Sequence, residues 1–342
     1  MNHVQIEMSD RCNFKCKFCE IKNHRDHNDF PIEKLYEVLD ELETADLPGG
    51  KVFMVSLSGV GEPLMHKDIV KAVEYAKSKF PFVGFITNGF FLTEDKVDQL
   101  LACDISYITI SLNGVDASVY EKFQGYGLKD PEVTMNRVIG NIKYLLRRRD
   151  ELGKHTEVRI PYIVTPDSEE HVSDFIKYWK DNGHEVLIHL KRLLEWKDVT
   201  AKKLGRCERL MEDFMIYANG DVTICAVDQS RGCILGNVYK QSVKDILDGE
   251  KYQRIIKANR ERRFEELPDI CRRCEYIIDD GFLKNNCDAI KVLYLNNSWK
   301  NFKWKFYTTG QNVFSELKKH DSTWEFYKKV KNRMMRKEYA KQ

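Results

Sequence analysis

The 342-residue sequence contains no run of eighteen apolar residues, which excludes a hydrophobic membrane-spanning helix of ordinary length. Its start, Met1-Asn2-His3-Val4-Gln5-Ile6-Glu7, lacks the basic-then-apolar order of a secretory signal, so a cytoplasmic protein with no membrane partner is expected. No internal repeat and no low-complexity segment is present, which leaves one or two folded domains rather than a solenoid or a tether. A hydrophobic content of 42% with 32% charged residues suits such a chain. There is also little net charge, only +2, but it is unevenly spread. From Lys291 to Gln342 thirteen Lys and Arg face four Asp and Glu, so +9 sits there and −7 on the remainder. A basic tail on an acidic body can meet an anionic substrate, a nucleic acid or an acidic protein, or it can be a solvated basic helix.

Cysteine is not scarce: there are ten, and disulfides explain them poorly in a cytoplasmic chain. Three stand in Cys12-Asn13-Phe14-Lys15-Cys16-Lys17-Phe18-Cys19. Three thiolates on one short loop can hold three corners of a cubic iron–sulfur cluster. No fourth ligand stands on the loop, so one iron is left open, and an open iron is a place for a reaction rather than for electron storage. A zinc knuckle would pair two close cysteines with a second distant pair, which this three-then-two spacing does not resemble.

This loop resembles that of the radical S-adenosylmethionine (SAM) enzymes. The resemblance implies a [4Fe-4S] cluster on Cys12, Cys16 and Cys19, with SAM chelated by the fourth iron through its amino and carboxylate groups. It also implies reductive cleavage of SAM to a 5′-deoxyadenosyl radical that abstracts a hydrogen atom, with the protein supplying position and exclusion of side reactions. A flavodoxin- or ferredoxin-type protein is the electron donor so implied.

Strand and helix patterns alternate along the first 190 residues. Strands are expected at His3–Met8, Lys51–Leu57, Phe82–Thr87, Ile105–Leu112, Thr156–Val164 and Glu185–Lys191. Helices are expected at Pro31–Leu42, Asp68–Lys79, from the cap Thr93 to Leu101, Val133–Arg149 and Ser168–Asn182. Six such units imply parallel strands in an α/β fold. The family form is a partial (β/α)6 TIM-like barrel, with chemistry at the C-terminal ends of the strands. On those ends the resemblance places SAM contacts. Ser58-Gly59-Val60-Gly61-Glu62-Pro63 resembles the family's Gly-Gly-Glu-Pro segment, with Val60 in place of the first glycine. Gly59, Gly61, Glu62 and Pro63 would then bind the amino group, glycine allowing close backbone approach. Thr87-Asn88 lies beneath the cofactor, Ser111 and Asn113 face ribose and carboxylate, and Phe18 packs near the adenine. Single turn residues also serve ordinary turn chemistry. Arg159 can meet the SAM carboxylate or be an ion-paired barrel residue.

From Cys207 the composition changes. Cys207 is followed by twelve residues, then Gly220, four residues and Cys225; Cys271-Arg272-Arg273-Cys274 comes later. Asn219-Gly220 between two β-rich runs signals a hairpin, because both central positions of a tight turn need positive φ. This set resembles the auxiliary-cluster extension of the SPASM/twitch branch, which implies a second [4Fe-4S] cluster on Cys207, Cys225, Cys271 and Cys274. The longer pattern continues with a cysteine where Asp280 stands, so the shorter twitch form with two clusters in all is expected. Zinc on the same four thiolates is the alternative. The expected layout is a barrel over 1–195, a small auxiliary-cluster domain with a β-hairpin and helices over 196–290, and a basic aromatic extension over 291–342.

Cys233 and Cys287 are candidate hydrogen donors to a substrate radical, and Cys287 can also replace a cluster ligand; both can equally be inert. Asp228 is a candidate proton acceptor or a loop cap. Trp299, Phe302, Trp304, Phe306 and Tyr307 interleave with Lys300, Lys303 and Lys305, a pattern read as an edge strand in preference to a nucleic-acid surface. The strand before the cluster loop begins at His3, ahead of which no leader-recognition domain is expected. The favoured function is therefore oxidation or epimerisation of a small polar substrate: a sugar, an aminocyclitol or a nucleotide-linked sugar. The alternatives are a maturase of a ribosomally made peptide, and a non-catalytic iron–sulfur or zinc protein.

Overall fold

A computed structural model describes residues 2–19, 26–192, 207, 209–274 and 289–297. Cys287, Asp280 and the lysine–aromatic tail from 298 onward lie outside the described residues.

The first half alternates as expected: β1 (Asn2–Ile6), α1 (Ile32–Thr44), β2 (Asp46–Leu47), β3 (Gly50–Ser56), α2 (Ile69–Lys79), β4 (Phe82–Thr87), α3 (Glu94–Ala102), β5 (Tyr107–Ile110), α4 (Ala117–Phe123), α5 (Pro131–Glu151), β6 (Glu157–Val164), α6 (Val172–Asp181) and β7 (Val186–Arg192). The helices form where apolar residues recur on one face. In α1, Leu35, Val38, Leu39 and Leu42 are the buried set, at the three-and-four spacing that aligns side chains on a helix. Thr93 caps α3 by accepting from Lys96 N, and Pro131 opens α5 at a position where a missing N–H costs nothing. The short α4 has too little periodicity to be read from sequence; it starts because the Asp116 carboxylate accepts from Ser118 N and Val119 N.

β1, β3, β4, β5, β6 and β7 pair in that order, all parallel. This is the expected six-stranded arrangement, and the helices cover a core that includes Phe30, Phe85, Phe175 and Trp179. After Cys207 come α7 (Arg209–Glu212), β8 (Asp213–Ile216), β9 (Asp221–Thr223), β10 (Ile234–Asn237), α8 (Val243–Asp248), α9 (Glu250–Arg260), α10 (Asp269–Arg272) and β11 (Ala289–Leu295). The Asn219-Gly220 turn does join two antiparallel strands, β8 and β9, with Gly220 at φ +84°.

The sheet crosses both expected boundaries. β8 lies parallel against β1, and β11 pairs antiparallel with β7 at the opposite edge. The auxiliary segment therefore extends the barrel sheet instead of forming a sheet of its own. The contact is tight elsewhere too: Glu41 of α1 accepts from Val243 N at 2.5 Å, and Phe30 packs on Tyr239 with ring centroids 5.5 Å apart. Among the described residues no helix is long and apolar enough to cross a membrane.

Two glycines test this packing. A Cβ at Gly84 of β4 would overlap the Tyr107 carbonyl oxygen, whereas one at Gly140 of α5 would meet nothing within 4 Å. Gly84→Ala is expected to destabilise the chain by about 1–3 kcal/mol through overpacking, and Gly140→Ala to stabilise it by about 0.5–1 kcal/mol through helix propensity. Denaturant midpoints that move in opposite directions would bear this out.

Candidate functional site

The cysteine loop leaves the C-terminal end of β1 and is braced at its base. A bridge joins Ser9 to Asp29, and the Asp10 carboxylate accepts from Asn28 N at 2.8 Å. Arg11 pairs with Asp29 and donates to Met65 O at 3.2 Å. Inside the loop Phe14 N donates to Cys12 Sγ at 3.5 Å, and Cys19 N to Cys16 O at 3.0 Å. It is Phe14 that enters the core, edge-on to Phe90, while Phe18 stays half-buried on the loop.

The second and third loops are locked to the first through Glu62. Its carboxylate is buried and accepts from Thr87 Oγ1 at 2.6 Å, Asn88 N at 2.7 Å and Leu64 N at 3.0 Å. Its backbone N–H donates to Arg11 O at 2.7 Å. Asn88 passes the order on, donating through Nδ2 to Asn13 Oδ1 at 2.8 Å and to Cys12 Sγ at 3.8 Å. An amide donor against a thiolate sulfur both orients the ligand and moderates its charge. Burial raises the Glu62 carboxyl to about 7, against the lowering pull of Asn88, Thr87 and Leu64. The Glu62 side chain is thus taken up by protein donors, and its part in the site is to hold two loops together. The glycines serve the same closeness: a Cβ at Gly61 would overlap Ser9 O, and one at Gly59 would press on Glu7 at 2.5 Å.

Glu7, which sequence reasoning passed over, is the last support of this loop. It is fully buried; its Oε1 accepts from Val60 N at 2.8 Å and Gly61 N at 3.3 Å, and its Oε2 from Ala218 N at 3.1 Å. Burial raises its pKa, while the Ala218 and Val60 N–H groups and the nearby Arg231 lower it. The only sequence signal was an acidic residue interrupting an apolar strand.

On β5 the ends are held by Gln124, a second residue not anticipated. It donates to Ser111 O at 2.6 Å and accepts from Asn113 N at 3.1 Å. Asn113 Oδ1 accepts from Ile163 N at 2.9 Å, tying β5 to β6. Arg159 lies elsewhere. It is the third residue of β6, about 16 Å of extended chain short of that strand's C-terminal end. It pairs with Glu157 at 2.5 Å and stacks 4.2 Å from the Tyr107 ring centroid. Of its two sequence readings, the structure matches the ion-paired barrel residue and separates Arg159 from the loop cluster.

The four distant cysteines converge. Burial, then the neighbouring Cys207, Cys225, Cys274 and Cys233, push the Cys271 thiol up. Burial is also the first cause that takes Cys207 and Cys225 to about 12. Asn259 on α9 fixes Cys207, accepting from its N–H and donating to its carbonyl, both at 2.8 Å. Val227 N donates to Cys225 Sγ at 3.4 Å. Cys233 is buried beside this set, its N–H donating to Asp228 Oδ2 at 2.9 Å. Asp228 also accepts from Gly232 N at 2.7 Å, which is the geometry of a loop cap. Cys103, at the C-cap of α3, is half-buried and remote in the chain from both sets.

Among the described residues no three His, Cys, Asp or Glu side chains close tightly enough to hold a single metal ion. Both donor sets suit a larger inorganic body: all are sulfur, and the buried thiols oppose one another's ionisation until a positive centre compensates. The radical SAM superfamily model matches residues 6–189, more than half of the chain.

The chain belongs to the radical SAM superfamily.

The model of the SPASM iron–sulfur cluster-binding domain matches residues 207–275, spanning all four auxiliary cysteines. Together the two domains imply two [4Fe-4S] clusters and SAM as cofactors. A curated relative is the mycofactocin maturase MftC of Mycolicibacterium smegmatis, 28% identical over 49% of this chain and 39% of its own. The chain spans about half or less of the length of the first curated relatives it matches. Streptococcus suis SuiB bound to S-adenosylmethionine shares the fold with a TM-score of 0.58 at 19% identity, covering 74% of this chain and 67% of SuiB. BtrN in complex with AdoMet and 2-DOIA shares it with a TM-score of 0.50 at 16% identity, over 80% and 93%.

Cys12, Cys16 and Cys19 stand on a loop that Glu62 and Asn88 tie to the loops after β3 and β4. Two outcomes follow. Glu62 folds with a raised pKa, so its contribution to stability is complete below its ordinary value of 4.5 and is lost as pH rises through about 7. Glu62→Gln should flatten that fall in denaturant midpoint between pH 5 and 8. Cys271→Ser should remove about half of the iron from anaerobically reconstituted protein and leave the spectral response to SAM, since a cluster needs its full thiolate set.

Proposed function

We propose that this chain is a radical SAM enzyme that removes a hydrogen atom from a small polar substrate of the sugar, aminocyclitol or nucleotide-linked sugar class. The outcome would be oxidation or epimerisation, with the auxiliary cluster beside the barrel taking part. The observation that supports it most is that Cys207, Cys225 and Cys274, far apart in the chain, all bear on the Cys271 thiol, in a segment whose β8 lies against β1. Four thiolates close every iron of that cluster, which suits it to accept an electron and leaves it no vacancy for SAM.

The SAM-derived deoxyadenosyl radical supplies the hydrogen-abstracting power; the protein supplies geometry. Glu62 and Asn88 keep the SAM-facing loops at a fixed distance from Cys12. Glu7 keeps the same loops in register with the hairpin that leads to Cys225. Loss of one hydrogen atom, one electron and one proton turns an alcohol into a carbonyl, and a cluster held by Cys207, Cys225, Cys271 and Cys274 would be able to take that electron. In the epimerase variant of this reading Cys233 or Cys287 returns a hydrogen atom instead. A flavodoxin- or ferredoxin-type protein would deliver the initiating electron.

A second reading, modification of a ribosomally made peptide, draws on the likeness to MftC and SuiB. One experiment separates them. The reduced, reconstituted chain is incubated anaerobically with SAM and candidate substrates deuterated at known carbons. Deuterium in 5′-deoxyadenosine from a sugar or aminocyclitol is the expected result. Transfer from a peptide, with none from any small polyol, would replace this reading with the second.

A further inference from the structure

We propose that the Tyr120 hydroxyl donates a hydrogen bond to a sulfur at the Cys16 corner of the open-iron cluster, and so helps set the potential at which that cluster takes its electron. This rests on the assignment of Cys12, Cys16 and Cys19 as its ligands.

Tyr120 is fully buried in α4, and its hydroxyl has no hydrogen-bond partner among the described residues. Two other buried tyrosines are satisfied: Tyr162 donates to Ser168 O at 2.8 Å and Tyr217 to Asp228 O at 2.6 Å. A buried donor left unmade costs its desolvation with no return, and phenylalanine would fill the same space without that cost. The orphan therefore points to a partner that is not polypeptide.

The position of α4 says which partner. Its C-terminal carbonyl, Phe123 O, accepts from Lys17 N at 2.9 Å, so the helix is tied to the residue that follows Cys16. Tyr120 lies about one turn back from that tie. Gly125 lies against the ring, where a Cβ would sit 2.8 Å from Tyr120 Cδ1, and its N–H donates to Tyr120 O at 2.7 Å. Burial raises the phenol's pKa, and the neighbouring Cys16 raises it further. The cysteine loop packs against the same core cluster as Tyr120. A donor to a cluster sulfur stabilises the reduced, more negative state, and so raises the midpoint potential.

The test uses the full chain with both clusters loaded anaerobically, followed by EPR during redox titration. The open-iron cluster is recognised by the signal that changes when SAM is added. Tyr120→Phe should lower its midpoint, so that the reduced-to-oxidised ratio at a fixed potential falls about three- to tenfold, tenfold corresponding to 59 mV for one electron. Replacement of Tyr120 by 3-fluorotyrosine, a more acidic phenol and a stronger donor, should shift the midpoint upward. It also serves where the phenylalanine variant fails to load. A wild-type signal unmoved by SAM overturns the cluster assignment itself. A SAM-sensitive signal whose midpoint ignores the substitutions that load overturns the role of Tyr120 alone.

Discussion

A buried carboxylate at the end of the first strand is the constraint on which this molecule turns. Glu7 gathers three backbone N–H groups, two from the loop after β3 and one from a hairpin 211 residues further along the chain. Backbone donors facing a carboxylate in a buried place are worth more than they would be in water, and an unmet one costs correspondingly more. The side chain therefore acts as a local organiser that neither segment can replace. It fixes the SAM-facing loop and the auxiliary-cluster hairpin to the same strand, and hence to each other.

From that point order spreads in short steps. β8 lies parallel on β1, so the hairpin carrying Cys225 grows out of the barrel sheet. Val60 and Gly61 hang on Glu7, Glu62 follows directly and clamps Thr87 and Asn88, and Asn88 reaches Cys12. Four loop segments distant in sequence are thus held by a chain of hydrogen bonds that ends on the Cys12 sulfur. This also explains why two acidic side chains with raised pKa values stand beside these loops, each met by protein donors. Their charge is directed at backbone donors, and burial is what makes those bonds specific.

Much of the fold could be read directly. Each of the six barrel strands lies within two residues or so of its expected place, because the strand runs are apolar and short and the intervening helices are periodic. The cysteine spacings pointed to the radical SAM and SPASM families, since thiolate spacing on a loop is a local matter. What escaped was α4, too brief for a period to show, and α9, whose polar Asn259 faces inward to hold Cys207. Arg159 illustrates the converse. Its residue type invited a carboxylate ligand, yet its place near the start of β6 put it against Tyr107 and Glu157.

By itself the sequence determined the element order, the open-iron loop, the four-cysteine set and the hairpin turn, because each depends on residues a few positions apart. Only the tertiary structure decided that the second cysteine set extends the barrel sheet, that Glu7, Gln124 and Asn259 are organising residues, and that Tyr120 is left with an unspent hydroxyl. Those facts concern groups far apart in the chain, and a hydrogen bond carries no trace in sequence of the partner that burial brings to it.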